Sequence, residues 1–146
     1  MEVSRTEVEE AAVRLLARRE HSFRELTRKL ERRGWPGELV ESVLSDLAER
    51  GLQSDQRYAE SFARSRVAKF YGPVRIRAEL GERGIERALI NQVLGGLEVD
   101  WFALANDWYE RRYAGEPAQD FREKSRRQQA LARRGFDHAI IRELIE

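Results

Sequence analysis

The chain has 146 residues, of which 36% are charged and 41% apolar, with a net charge of +1 and no cysteine. That length fits one ordinary domain or a row of very small ones. The charged share exceeds the roughly 25% of an average soluble domain and points to a thin shape with much surface per residue. Zero cysteines exclude disulfides, thiol catalysis and thiolate metal sites. The longest run without a charge, Ala88 to Leu97, is far too short to span a bilayer. The acidic, periodic opening MEVSRTEVEEAAVRLL is not a secretory signal, so a cytoplasmic protein is expected. The charge is evenly spread, with 10 basic and 11 acidic groups over residues 1–50, 8 and 7 over 51–100, and 9 and 8 over 101–146. Twenty-four of the 27 bases are Arg. Codon bias alone produces that pattern, and it also supplies planar, bidentate donors for carboxylates and phosphates.

In chain order the sequence reads as a threefold repeat of helices. Gly34, Gly84 and Gly135 close the similar segments LTRKLERRGW, IRAELGERGI and RQQALARRGF, at spacings of 50 and 51 residues. Each Gly follows Arg and precedes a large apolar residue, and a Leu stands four positions before it (Leu30, Leu80, Leu131). Leu39–Val40, Leu89–Ile90 and Ile140–Ile141 follow, then Val43–Leu44, Val93–Leu94 and Leu144–Ile145. A period of this length marks stacked supersecondary units, and the apolar steps of three and four are helical. First helices are predicted at about Glu7–Arg18, Asp55–Phe70 and Trp101–Tyr113, with Ser54 and Asp100 as N-caps of the last two. Middle helices start at the capping box Ser22/Glu25, at Gly72–Pro73 with Pro at the first helical position, and at Asp120/Glu123. Each ends on a left-handed Gly. The expected fold is all-α, three tandem three-helix repeats in an elongated, curved array, with repeats at 1–52, 53–98 and 99–146.

The third middle helix, FREKSRRQQALARRG, offers little beyond Phe121 and Leu131 for burial. Arg127 stands where the other repeats have Leu26 and Ile76. An exposed side chain there forgoes about 1.5–3 kcal/mol of burial. A terminal repeat contacts only one neighbour, so residues from about Glu116 onward are expected to open most easily and to carry their arginines as a flexible clamp.

The stretch from Ser61 to Ala78 holds Arg64, Arg66, Lys69, Arg75 and Arg77 and no acid, together with Phe70, Tyr71, Gly72 and Pro73. Its sequence SRVAKFYGPVRIRAEL resembles the signature of the RecX family, bacterial regulators of recombination. DQRYAESFARSR before it, VDWFALANDWYERRYAGEP after it and the opening VRLLARREHSFRELTRKL resemble family motifs in family order. One departure is Ala130, where the family usually places a large apolar residue. The resemblance implies tandem three-helix repeats and a non-enzymatic protein, without cofactor or metal. It implies a monomer that lies in the groove of the RecA filament on single-stranded DNA, with direct DNA contact a further option. Such a protein lowers RecA's strand-exchange, ATPase and coprotease activities, and so acts on DNA repair and the SOS response.

A filament of this kind is a polyanion wrapped in protein, which an Arg-lined helical face can follow by long-range attraction and phosphate contacts. The candidate contact residues are Arg64, Arg66, Lys69, Tyr71, Arg75 and Arg77, extended by the pairs Arg111–Arg112, Arg126–Arg127 and Arg133–Arg134. Neighbours in a pair point different ways on a helix, so only some can serve. Arg66 can instead pair with an acid, and the cluster as a whole can be a solvated salt-bridged face. Tyr71 either stacks on a partner or closes the turn against the core. Trp35, Trp101, Trp108 and Tyr109 read as core.

Enzyme readings find no support. His21 and His138 have no metal-partner spacing, and no phosphate-binding Gly loop or nucleophile elbow occurs. Two other classes stay open. A helix-turn-helix duplex reader needs a basic third helix, whereas GELVESVLSDLAER, ERALINQVLGGL and DHAIIRELIE are acidic or neutral. A helical protein–protein adaptor would carry its charges for solubility alone.

Overall fold

The computed structural model describes residues 2–146, with side chains from Arg5 onward. Among the described residues there are nine α-helices and no strand: α1 Glu2–Arg18, α2 Phe23–Arg32, α3 Gly37–Glu49, α4 Asp55–Ala68, α5 Pro73–Glu82, α6 Arg87–Gly96, α7 Trp101–Tyr113, α8 Phe121–Arg134 and α9 His138–Leu144. The start signals act as their chemistry requires. Ser22 and Glu25 form a reciprocal capping box at α2, and Pro73 opens α5. Ser54 Oγ accepts the Arg57 N–H at α4, and Asp100 and Asp120 cap α7 and α8. Gly34, Gly84 and Gly135 take φ of 100°, 85° and 100° after the middle helices, the left-handed region that an L side chain enters only with strain.

Two boundaries differ from the sequence reading. α1 begins at Glu2 rather than near Glu7. α4 stops at Ala68, and Phe70 carries φ 65°, so Lys69 and Phe70 form a turn rather than a last helical turn. Lys69 therefore does not share a helical face with Arg66.

The chain divides into two compact units, residues 1–61 with 80–90, and residues 62–79 with 91–146. In the first unit Val8, Ala11 and Ala12 of α1, Leu26 and Leu30 of α2, and Val40, Val43, Leu44 and Leu47 of α3 form a fully buried core, with Trp35 packed at its edge. The N-terminus of α2 meets the C-terminal end of α5 in this unit: Ser22 Oγ donates to Arg83 O (2.9 Å), and Phe23 N–H donates to Asp55 Oδ1 (2.9 Å). The carbonyl left free after α5 thus accepts from the Ser22 hydroxyl, and the first N–H of α2 is satisfied by the carboxylate that opens α4.

His21 sits beside this joint, 2% exposed. Its Nδ1–H donates to Arg19 O (3.0 Å), so Nε2 accepts from Lys29 Nζ (3.0 Å). Burial pushes its pKa below the usual imidazole value; the Arg19 carbonyl and Glu25 oppose this, while the charges of Arg19 and Lys29 reinforce it. The native state therefore holds His21 neutral, and its contribution is complete above pH about 6.5 and lost as pH falls through the lower folded pKa. The urea midpoint of the protein should fall between pH 7 and pH 5, and His21→Gln should show a flatter profile over that window. Equal slopes would remove His21 as the titrating group.

In the second unit the core comprises Ala105, Leu131, Phe136, Ile141 and Ile145, with Leu104, Trp108, Tyr109, Ile140 and Leu144 packed against it. Phe121, expected to be buried, is 85% exposed at the first position of α8. The start of α5 meets the end of α8 here, and the backbone itself makes the joint: Gly72 N–H donates to Arg134 O (2.7 Å) and Val74 N–H to Gly135 O (2.9 Å). A Cβ on Gly72 would lie 2.4 Å from Gly135 O and 2.8 Å from the Phe136 ring. Gly72→Ala must push two backbones apart, and should cost about 2–4 kcal/mol from overpacking and weakened hydrogen bonds. Gly81→Ala, on α5 with open space around it, should instead stabilise by about 0.4–1 kcal/mol. Urea denaturation of the two variants checks the contrast.

Candidate functional site: an arginine–aromatic groove

Seven of the sequence candidates meet in the second unit. Tyr71, Arg75, Arg112, Arg126, Arg127, Arg133 and Arg134 line one open groove of about 530 Å³, completed by Trp108, Tyr113, Glu123 and Ala130. α5, α7 and α8 each contribute to it. Arg64, Arg66, Lys69, Arg77 and Arg111 do not line it.

The guanidinium groups in and beside the groove alternate with aromatic rings. Arg75 lies 4.2 Å and Arg134 4.4 Å from the Tyr71 ring centroid, with Arg66 at 5.8 Å. Arg134 also lies over Trp108 at 5.0 Å, and Arg112 over Tyr113 at 5.2 Å. Such stacking holds a guanidinium plane in place while leaving its N–H edge for an anion, so less side-chain freedom is lost on binding. Tyr71 serves the turn and the arginines together, since its ring sits between their side chains.

The candidates then sort by what they already hold. Arg66 donates to Glu79 (2.9 Å) in a pair that is mostly buried. Arg134 donates through Nε to Phe70 O (3.0 Å) and through Nη2 to Lys69 O (2.5 Å), closing the end of α4. Arg111 pairs with Asp107 (2.8 Å), and Arg77 donates to the Asn91 side-chain carbonyl. Arg75 Nη1 donates to Arg133 O (3.2 Å), while its Nε lies 3.9 Å from Glu79. Arg64, Lys69, Arg112, Arg126 and Arg133 are exposed, and among the described residues none has an ion-pair partner within 4 Å.

Arg127 corrects the sequence reading. It is not an exposed filament contact but a core residue, 3% exposed. Nη1 donates to Tyr109 Oη (2.9 Å) and Glu116 O (2.7 Å), Nη2 to Glu123 (3.2 Å), and the guanidinium lies 4.1 Å from the Tyr113 centroid. The position that holds Leu26 and Ile76 in the other repeats is buried here too, by an ion that brings its own partners. Glu123, the one acid of the groove, is committed to Arg127 and to the Gln119 N–H (2.8 Å).

Ala130 explains why the groove is open and positive. Its counterpart in the second repeat is Glu79, which compensates Arg66 and Arg75, and in the first it is Lys29. Alanine at this place removes both the bulk and the acid. The residues that sequence reasoning missed are Trp108 and Tyr113 as groove walls, and only the helical spacing of seven between Trp101 and Trp108 and of four between Tyr109 and Tyr113 hinted at them. Among the described residues no cluster of three metal-ligating side chains occurs, and no helix is long and apolar enough to cross a membrane.

Comparison with known proteins agrees with this architecture. Models of the first, second and third three-helix domains of RecX match residues 10–47, 54–94 and 98–145. The regulatory protein RecX of Halorhodospira halophila is 54% identical over 136 residues, covering 92% of this chain and 84% of its own. That of Pseudomonas entomophila is 49% identical over 138 residues, covering 94% and 89%. The crystal structure of RecX from Lactobacillus salivarius shares the fold, with a TM-score of 0.80 at 21% identity over 99% of this chain and 96% of that one. With a matching model for each of its three repeats and relatives near half identity along almost its full length, this chain belongs to the RecX family of regulatory proteins.

Proposed function

We propose that this protein binds the RecA filament formed on single-stranded DNA and lowers RecA's strand-exchange, ATPase and coprotease activities, thereby modulating recombination, repair and the SOS response. It acts as a cytoplasmic monomer, without catalysis of its own, through three modules bounded near residues 52 and 98. Family membership supports the partner. The observation that carries the contact is the groove of the second unit, where Arg112, Arg126 and Arg133 are exposed and, among the described residues, without an ion-pair partner, and where the acid that lines it, Glu123, is already held by Arg127. A surface of this kind attracts a polyanion over long range and gains further free energy from displaced counterions. A contact made to phosphates carries no base information, so binding is expected to be indifferent to sequence. Co-sedimentation with pre-formed RecA–single-strand filaments, beside RecA alone and DNA alone, tests the reading. Binding to the filament should weaken steeply as salt rises. Absence of filament binding would refute the function, and binding flat with salt would refute the groove as its contact and favour an apolar adaptor interface.

A further inference from the structure

The first unit carries a smaller groove of the same design at the joint between α2 and α5. Arg24, Arg28 and Arg32 of α2 line it, together with Arg83 at the end of α5. In the repeat register of 50 residues Arg24 corresponds to Val74, one position before Arg75, yet each closing glycine, Gly84 and Gly135, has an arginine of the preceding repeat's middle helix packed against it. A Cβ on Gly84 would fall 2.7 Å from Arg24 Nε and 2.8 Å from its Cβ, and one on Gly135 would fall 2.4 Å from Arg75 Cβ. The left-handed Gly84 therefore makes a seat for the Arg24 stem, and Gly135 one for the Cβ and backbone of Arg75.

Arg24, Arg28 and Arg32 stand at steps of four on the exposed side of α2, about 6 Å apart along the helix axis. None of the three has an ion-pair partner within 4 Å among the described residues; Arg32 Nε donates to the Arg28 carbonyl (3.3 Å). The neighbouring charges are spoken for. Glu25 is held by Arg19 (3.1 Å) and by the Ser22 N–H (3.1 Å), and Lys29 donates to His21. Glu82 is the remaining acid on the rim.

We propose that this stripe is a second polyanion-binding surface, which takes the phosphodiester backbone of the single strand. The assignment rests on the filament reading above. Three evenly spaced guanidinium groups suit a ligand whose charge repeats at regular intervals. Among the described residues the stripe has no exposed apolar side chain to anchor a protein partner: Leu26 and Leu30 of α2 are fully buried, and Phe23 is partly buried against the core.

The test compares Arg24→Glu/Arg28→Glu/Arg32→Glu with a control of equal charge change on the same unit, Arg14→Glu/Arg18→Glu/Arg87→Glu. Circular dichroism establishes that both are folded. A fluorescein-labelled oligothymidylate, titrated at several salt concentrations by anisotropy, reads the phosphate contacts, and co-sedimentation reads the filament. The stripe variant should bind the oligonucleotide at least about tenfold more weakly than the control. The slope of log affinity against log salt should shrink by about 2, as expected for three phosphate contacts on a single strand. Identical behaviour of stripe variant and control, or no binding of the oligonucleotide by the unaltered protein, overturns the proposal. Weaker filament binding with unchanged oligonucleotide binding also overturns it, by moving the contact to an acidic protein surface. If the unaltered protein binds oligonucleotide but not filament, the filament reading fails, and the stripe is then judged on the oligonucleotide alone.

Discussion

Arg127→Ala should destabilise the protein by about 3 kcal/mol, the largest loss expected for any single charged residue in the chain. The substitution takes the donor from Tyr109 Oη, Glu116 O and one oxygen of Glu123, each of which now accepts from the guanidinium. The lost charge-assisted bond to the half-buried Tyr109 costs about 1.5–3 kcal/mol, and the void beside Tyr109 and Tyr113 adds to it, whereas Glu116 and Glu123 reach water. Arg127→Met separates the parts. Its unbranched chain refills the space and its sulfur suits the ring faces, so it should recover about half the loss while the bond to Tyr109 stays lost. Hydrogen exchange locates the effect: amides of α8 should open faster in both variants than those of α2. The alternative, in which Arg127 is an external contact, gives the reverse outcome, with lost filament binding and unchanged stability. The expectation that the third repeat opens first loses its reason on the same ground, because burial at position 127 is retained rather than forgone.

The repeat and its caps were legible in the sequence because they depend on neighbours within a few residues. Ser22 with Glu25, Pro73, Asp100 and Asp120 act within one helical turn, and the three closing glycines obey a local steric rule. What escaped depends on contacts between distant segments. Arg127 reads as a polar interruption of an apolar stripe until Tyr109, 18 positions away, is brought to its guanidinium. Phe121 reads as core because it is large and apolar, but as the first residue of α8 it points to solvent. Arg134 reads as a free surface cation, and its partners are the carbonyls of Lys69 and Phe70, some 65 positions upstream. The acid-free run marked a basic segment correctly, yet a run of residues is not a surface. Of its five cations only Arg75 reaches the groove, and the rest of the groove's charge comes from α7 and α8. Arg24, Arg28 and Arg32 are hidden in the sequence for the opposite reason, since Glu25 and Glu31 are interleaved with them, and only the fold shows that Glu25, which also lines the groove, is held by Arg19 and the Ser22 N–H.

Arg112→Glu/Arg126→Glu/Arg133→Glu should abolish most of the filament binding without loss of helicity. These three are chosen because their side chains are exposed and carry no internal ion pair. Reversal of Arg75 or Arg134 would mix binding with folding, through the seat on Gly135 and the closure of α4. At about 1–1.5 kcal/mol for each charge-assisted contact, losing three weakens binding about 10²–10³-fold. Arg77→Glu is the informative comparison. Arg77 belongs to the acid-free run but lies outside the groove, with its guanidinium on Asn91. If the linear basic segment were the contact, Arg77→Glu would weaken binding as much as any one groove substitution; if the groove is, the effect should stay within a factor of about three. Ala130→Leu then tests shape without touching charge. Ala130 lines the groove, and a larger apolar side chain there should narrow it and lower filament affinity while leaving the urea midpoint near its original value. Wild-type affinity in the triple variant would make the arginine–aromatic groove a structural feature of the third repeat, and the contact would have to lie on another face.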